Sequence, residues 1–335
     1  MKVKDICRAL EQWAPPSLAE SYDNVGLLVG LPDMAVTGVL VTLDVTEAVL
    51  AEAVAKGCNM VVAHHPVWFM PRKRLNGEDF VSRIIMAAVK QDIALYAIHT
   101  NLDNVRTGVN AEIGSRLGVT DMRVLSPKRD LLQKVIAYGA SWEMQNAADA
   151  MYRAGAVQLK SQESGGSTRL EAIVPAYAKS AVLAALQQNF SQHTVESHSV
   201  ATLEPHLEVG SGMIGRLERP MRKGEFLEMV KAAFGCGGIR YADAPLELVQ
   251  TVAWCGGAGS FLIPAALRAG AQALVTADIT YHKFFEQEDK MLLLDIGHYE
   301  SEQFTSHLIL KYLSENFASF AVRFSEVITN PVKYL

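Results

Sequence analysis

Three short apolar runs mark the first hundred residues, at 38–43, 60–62 and 93–98, and each leads into polar residues able to do chemistry. Apolar runs of that length without polar alternation predict strands buried on both faces. Helix-length patterns fall between them at 46–56 and 79–91, the first opening on Thr46 as an N-cap and closing before Gly57 as a C′ residue. Residues 4–13 predict an amphipathic helix with Ile6, Leu10 and Trp13 on one face, closed by Pro15-Pro16. Strands alternating with such helices predict parallel βαβ units. The turn-rich run 21–26, which leads into 27–30, reads either as a loop folding over a site or as a hairpin.

After Arg123 the rhythm changes to strand 131–138, helix 143–153, strand 156–159, strand 168–174, helix 176–190 and strand 194–203. That β-α-β-β-α-β order is the ferredoxin-like signature and predicts an inserted α+β module. Its histidines, His193 and His198, with His206 just beyond, sit near no carboxylate cluster that looks like a ligand set. From Gly210 the βαβ rhythm returns: strand 249–254, helix 261–268, Gly270, strand 273–276, Ala277-Asp278, a helix from Thr280, then strand 291–296. Counted from Gly57 and Gly270, His64-His65 takes the place of Ala277-Asp278, and both halves end a strand with His-x-x-x-carboxylate. The expected fold is therefore α/β: two related lobes, 1–127 and 208–335, forming one domain, with the module 128–207 between them.

Composition narrows the function. At 335 residues and 50% hydrophobic content the chain can bury a sizeable core, and a net charge of -5 gives no electrostatic case for nucleic acid. The short basic run 71–74 reads as a solvated loop or as a phosphate-binding lip. Cys7, Cys58, Cys236 and Cys255 are far apart with no C-x-x-C pair, the pattern of reduced thiols in a cytoplasmic protein. The first residues carry charges unlike the apolar core of a signal peptide, and the least charged long run, 251–267, is broken by glycines and a proline, so no membrane span is expected.

The candidate chemistry sits at strand ends, where open α/β sheets place ligands. Adjacent residues leaving an extended strand point in opposite directions, so His64 and His65 are poorly placed to share one ion but could each hold one of two. Taken alone, they could equally be one core and one surface histidine. His298 and Glu302 are four apart at the opening of an expected helix that runs towards Leu313 and share its face, or form a simple surface pair. With Asp103 these five offer three imidazoles and two carboxylates, a nitrogen and oxygen set suited to zinc, manganese or iron. Two ions roughly 3.5–4 Å apart need a shared carboxylate, for which Glu302 is the natural candidate.

His64-His65-Pro66, the run 99–103, the run 297–302 and Thr329-Asn330-Pro331 together resemble the NIF-three-like dinuclear metal-centre family, also called GTP cyclohydrolase I type 2 homologues. The runs 254–259 and 278–282 fit the same pattern, and the likeness covers about residues 1–125 and 208–335. The resemblance implies two divalent metal ions per chain held by His64, His65, Asp103, His298 and Glu302, and assembly as a toroidal homohexamer. It further implies that Asp103 serves the ion on His65, that His298 serves the ion on His64, and that Glu302 bridges them. Larger members carry a module similar to PII and CutA proteins; here its usual loop is shortened to 162–167 and the His-Pro-Tyr-Glu-Glu run is absent at 192–196.

The implied chemistry is hydrolysis by metal-activated water of a small phosphorylated or cyclic nucleotide-like substrate. The alternative is a metal-containing hexameric scaffold or regulatory binding protein without turnover. As catalytic candidates, His99 either orients a ligand or fills the core, and His282 either moves protons or is a satisfied helix histidine. Asp44 and Asp278 are weaker supporting candidates, and Tyr22 and Asn24 could form part of an entrance.

Overall fold

The computed structural model describes residues 1–189, 194–199 and 206–335. His193, the last residue of the expected helix 176–190 and the end of the expected strand 194–203 lie outside the described residues. The chain forms two compact units, Met1–Ser126 with Glu208–Leu335, and Pro127–Leu207.

In the first unit, Val39–Thr42, Met60–Ala63 and Ala94–Ala97 are buried at every position. Strands with no solvated face suit a parallel ladder covered on both sides, and Val39 pairs with Met60 and Met60 with Ala94 in parallel register. Val322–Phe324 extends this sheet in parallel beside Val39–Thr42, while Gly26–Val29 pairs antiparallel with Ala94–Ala97 at the other edge. The turn-rich run therefore leads into a long-range strand rather than a local hairpin. Leu40, Val61 and Leu95 pack with Val49, Leu50, Ala53, Ile84 and Ala88 from the helices Glu47–Ala55 and Phe80–Lys90. Thr46 caps the first of these through its side chain, accepting from the Val49 amide at 3.2 Å.

A six-stranded sheet repeats the pattern. Leu248–Ala258, Ala273–Ala277 and Leu292–Asp295 are its parallel strands, packed on Leu262, Ile263 and Ala266. Gly210–Arg222 lies antiparallel to the first of them and Arg240–Ala242 antiparallel to the last, with Val119–Pro127 at the far edge. Each sheet thus has a parallel trio at its centre, and residues at the strand ends of both trios line one cavity. Two expected helices differ from the sequence reading. Residues Tyr281–Gln287 form a 3-10 helix, and the helix begun at His298 stops at Glu302 before a separate helix Thr305–Asn316. Fully buried Trp254 ties the lobes together: its indole N–H donates to the Asn110 carbonyl at 2.6 Å.

The second unit has an antiparallel four-stranded sheet in the order Gln158–Ser164, Ser167–Pro175, Leu132–Ala140, Thr194–Ser199. Helices Ser141–Arg153 and Lys179–Asn189 contribute Met144, Met151, Val182 and Leu186 to a core with Val135 and Val174. The first and third strands are central and the second and fourth lie at the edges, which is the ferredoxin-like order. Its second strand begins at Gln158, two residues later than the sequence pattern suggests, and runs to Ser164.

Candidate metal centre

Parallel pairing continues one step past the strand ends, with the His65 amide bonded to the Leu43 carbonyl at 2.9 Å. This sets His64 and His65 on opposite sides of the chain but near one another, their ring centroids 4.9 Å apart. His64 is fully buried, and its Nδ1 donates to the Ile98 carbonyl at 2.8 Å. That bond assigns the proton to Nδ1 and leaves Nε2 as a lone pair. His65 Nδ1 faces Asp44 Oδ1 at 2.7 Å, and His298 Nδ1 faces Asp278 Oδ2 at 2.6 Å. His99, which opens the short helix Thr100–Asn104, places Nδ1 2.8 Å from Asp23 Oδ1. Each imidazole is thus held at Nδ1 by an oxygen from another segment, the arrangement that orients metal-binding histidines.

The remaining nitrogens of His65, His298 and His64 converge on Glu302. Its Oε2 lies 3.0 Å from His65 Nε2, 3.0 Å from His298 Nε2 and 3.8 Å from His64 Nε2, the last too long for a hydrogen bond. Asp103 Oδ1 is 3.7 Å from His64 Nε2. Both His64 Nε2 and Asp103 Oδ1 are buried without a hydrogen-bond partner, a condition that costs roughly 1–3 kcal/mol per group unless something is bound there. Glycine makes room for the carboxylate: a Cβ on Gly257 would stand 2.6 Å from Glu302 Oε1. Asn110 braces the rim, donating to the Asp103 carbonyl at 3.0 Å and accepting from the Gly256 amide at 3.1 Å.

The electrostatics fit a cation. Burial pushes His64 down to about 4, so it is neutral at ordinary pH. Burial together with the like charge of Glu302 raises Asp103 well above the usual carboxylate range. Glu302 is also buried, yet the imidazoles of His298 and His65 hold it well below that range. Burial opposes charging of His65 and His298, but their carboxylate partners raise them to about 9 and about 11. The two Nε2 atoms are only 3.3 Å apart. With both rings protonated, two N–H groups face each other, a repulsion removed when a dication replaces the protons. No thiolate is needed, and the donors suit divalent cations.

Donor atoms close enough to hold an ion group as His65 with His298 and Glu302, as His64 with Asp103 and Glu302, and as His64 with His65 and His99. The resemblance implied other partners: Asp103 with His65, and His298 with His64. In the folded chain the short helix His298–Glu302 lays His298 against His65, and Asp103 Oδ1 lies 3.7 Å from His64 Nε2. Of the two catalytic candidates, His99 belongs to the cluster. His282 does not: it is exposed against Tyr281 and outside the cavity lining.

Asp23 is the residue that sequence reasoning missed. Its buried side chain accepts from the Thr100 amide at 3.0 Å and from the Thr100 hydroxyl, and these bonds with His99 outweigh burial and hold it at about 2. The only cue was its place in the turn-rich run beside Tyr22 and Asn24. Tyr22 lines the cavity, whereas Asn24 donates to the Trp68 carbonyl. The cavity has a volume of about 1310 Å³.

The Duf34/NIF3 (NGG1p interacting factor 3) family profile matches residues 1–331. The chain belongs to the Duf34/NIF3 family. Among relatives of this NIF3-family chain, the Halalkalibacterium halodurans protein named GTP cyclohydrolase 1 type 2 homolog is 30% identical, across 88% of this chain and 87% of its own. The Bacillus subtilis protein of the same name is also 30% identical, across 99% and 98%. A Bacillus cereus protein related to NIF3 superposes with a TM-score of 0.86 at 27% identity, covering 100% of this chain and 99% of that one. Among the described residues no helix is long and apolar enough to cross a membrane.

Proposed function

We propose that this chain is a metal-dependent hydrolase in which His64, His65, Asp103, His298 and Glu302 hold two divalent cations. The observation that carries the reading is the convergence of three Nδ1-anchored imidazoles on one buried carboxylate, beside an unpartnered Asp103 oxygen. Bound there, zinc, manganese or iron would make hydroxide available near neutral pH and polarise a phosphoryl or acyl oxygen of the substrate. Glu302 lies where both donor groups can share it. Asp44, Asp278 and the Ile98 carbonyl keep the ring orientations, so the donors need little rearrangement. His99, whose Nδ1 is held by Asp23, is the residue we assign as general base, its other nitrogen taking the proton of the water.

The proposed substrate class is a small phosphorylated or cyclic nucleotide-like molecule. Assembly as a toroidal homohexamer in the cytoplasm belongs to the same proposal, and light scattering of the purified chain tests the assembly. The test of function is metal content per chain together with turnover of a panel of nucleotides, phosphoesters and cyclic amides by the parent and by His65→Ala. Full metal with no substrate turned over would leave the metals structural or regulatory and defeat the catalytic reading.

A further inference from the structure

We propose that the cavity takes a substrate with one small anionic or carbonyl head joined to a planar apolar body, and does not take a nucleoside polyphosphate. This rests on the hydrolase reading above and narrows its substrate.

Charge is the first observation. Among the described residues that line the cavity there are eight carboxylates, two guanidinium groups and no lysine. Both guanidinium groups are already paired with a carboxylate. Arg72 bonds both oxygens of Asp79 at 3.0 and 2.9 Å, and Arg240 is paired with Asp295 and donates to the Ile279 carbonyl at 2.9 Å. Two dications would offset part of this negative field and seat one oxyanion, but no second cationic subsite stands ready for further phosphates.

Backbone amides do not supply one either. The glycine-rich run 254–259 has the composition of a phosphate cradle, yet its amides are used internally. Gly256 donates to Asn110 Oδ1 at 3.1 Å, Gly257 to Ser301 Oγ at 3.0 Å and Gly259 to Thr276 Oγ1 at 2.9 Å. A phosphate cradle needs those N–H groups aimed at the ligand.

The apolar lining is the third. Trp68, Phe69, Met70 and Phe80 line the cavity, with Val81 and Ile84 from the core of the first lobe. Phe69 and Phe80 are 45% and 63% exposed, so their faces are open to a ligand. The wall starts beside the imidazole cluster: the Phe69 and His99 ring centroids are 5.6 Å apart at 60°. A head held at the cluster therefore carries its attached body onto aromatic faces, which favour planar groups.

The test is calorimetric titration of the zinc-loaded full chain with three probes: 1-naphthylmethylphosphonate, methylphosphonate and GTP. The naphthyl probe is expected to bind at least about tenfold tighter than methylphosphonate, and GTP more weakly than the naphthyl probe. A Phe69→Ala/Phe80→Ala variant with unchanged zinc content should lose the tenfold preference. GTP binding tighter than the naphthyl probe, equal affinity for the two phosphonates, or no binding by either overturns the proposal. The naphthyl preference with full zinc and a blank turnover panel would support this ligand class while defeating the hydrolase reading. Hydrolysis of GTP would do the reverse.

Discussion

Replacing Gly257 by alanine isolates what the close approach of backbone to carboxylate contributes. Gly257 has φ +57, and its new Cβ would lie 2.6 Å from Glu302 Oε1 and 3.1 and 3.2 Å from His298 Cε1 and Nε2. Gly270 is the matched control, with φ +73 and nothing within 4 Å of its Cβ position. Both substitutions place a side chain in the left-handed region and should each cost about 1–2 kcal/mol of stability. Only Gly257→Ala also pushes Glu302. Ordinary contact, from 3.4 Å, requires the carboxylate to retreat by at least about 0.8 Å, which is large against metal bonds of about 2.0–2.2 Å. Glu302 is shared by both donor groups, so the expected loss in zinc affinity is at least about a hundredfold, at the upper end of or beyond effects that act through a supporting residue. Urea unfolding and zinc titration against a competing chelator measure the two quantities separately. Parent-like stoichiometry and affinity in Gly257→Ala, or an equal loss in Gly270→Ala, would refute the steric argument.

Three other outcomes follow from the same geometry. Asn110→Ala removes the bonds to the Asp103 carbonyl and the Gly256 amide and should cost roughly 2–4 kcal/mol in denaturant unfolding; a loss below about 1 kcal/mol would mean that these bonds are dispensable. Asp44→Ala leaves His65 Nδ1 without its carboxylate and should weaken metal binding about 10–100-fold by chelator competition, with unchanged affinity counting against its orienting role. In chelator-treated protein, His65 and His298 are raised to about 9 and about 11. Their stabilising protonation is complete below the unfolded value of about 6.5 and is lost as pH rises through the raised values, while metal binding needs the neutral rings. The gap in Tm between zinc-loaded and chelator-treated protein should therefore widen from pH 6.5 to pH 10, and zinc uptake at neutral pH should release protons. A gap that narrows over that range would contradict the assignment.

Much of the scaffold was legible because it depends on local patterning. The buried strands around Leu40, Val61 and Leu95 announced themselves as unbroken apolar runs, and Thr46 and Gly57 marked the ends of a helix. Where the pattern misled, tertiary packing prevailed over local preference. The segment Tyr281–Gln287 tightened into a 3-10 helix that leaves His282 exposed, and the helix of His298 ended at Glu302. The edge strand Val322–Phe324 could not be anticipated, since its reason for being a strand is its partner Val39–Thr42 far away in the chain.

The amino-acid sequence by itself determined which side chains stand at strand ends, because the alternation of buried runs and polar termini is a local property of the chain. Only the tertiary structure decided how those side chains meet. It set His298 beside His65, supplied the Ile98 carbonyl that fixes the His64 tautomer, and brought Asp23 out of a turn to hold His99. Such contacts join residues tens to hundreds of positions apart. Their distances follow from sheet register and from the packing of the two lobes, which no local pattern encodes.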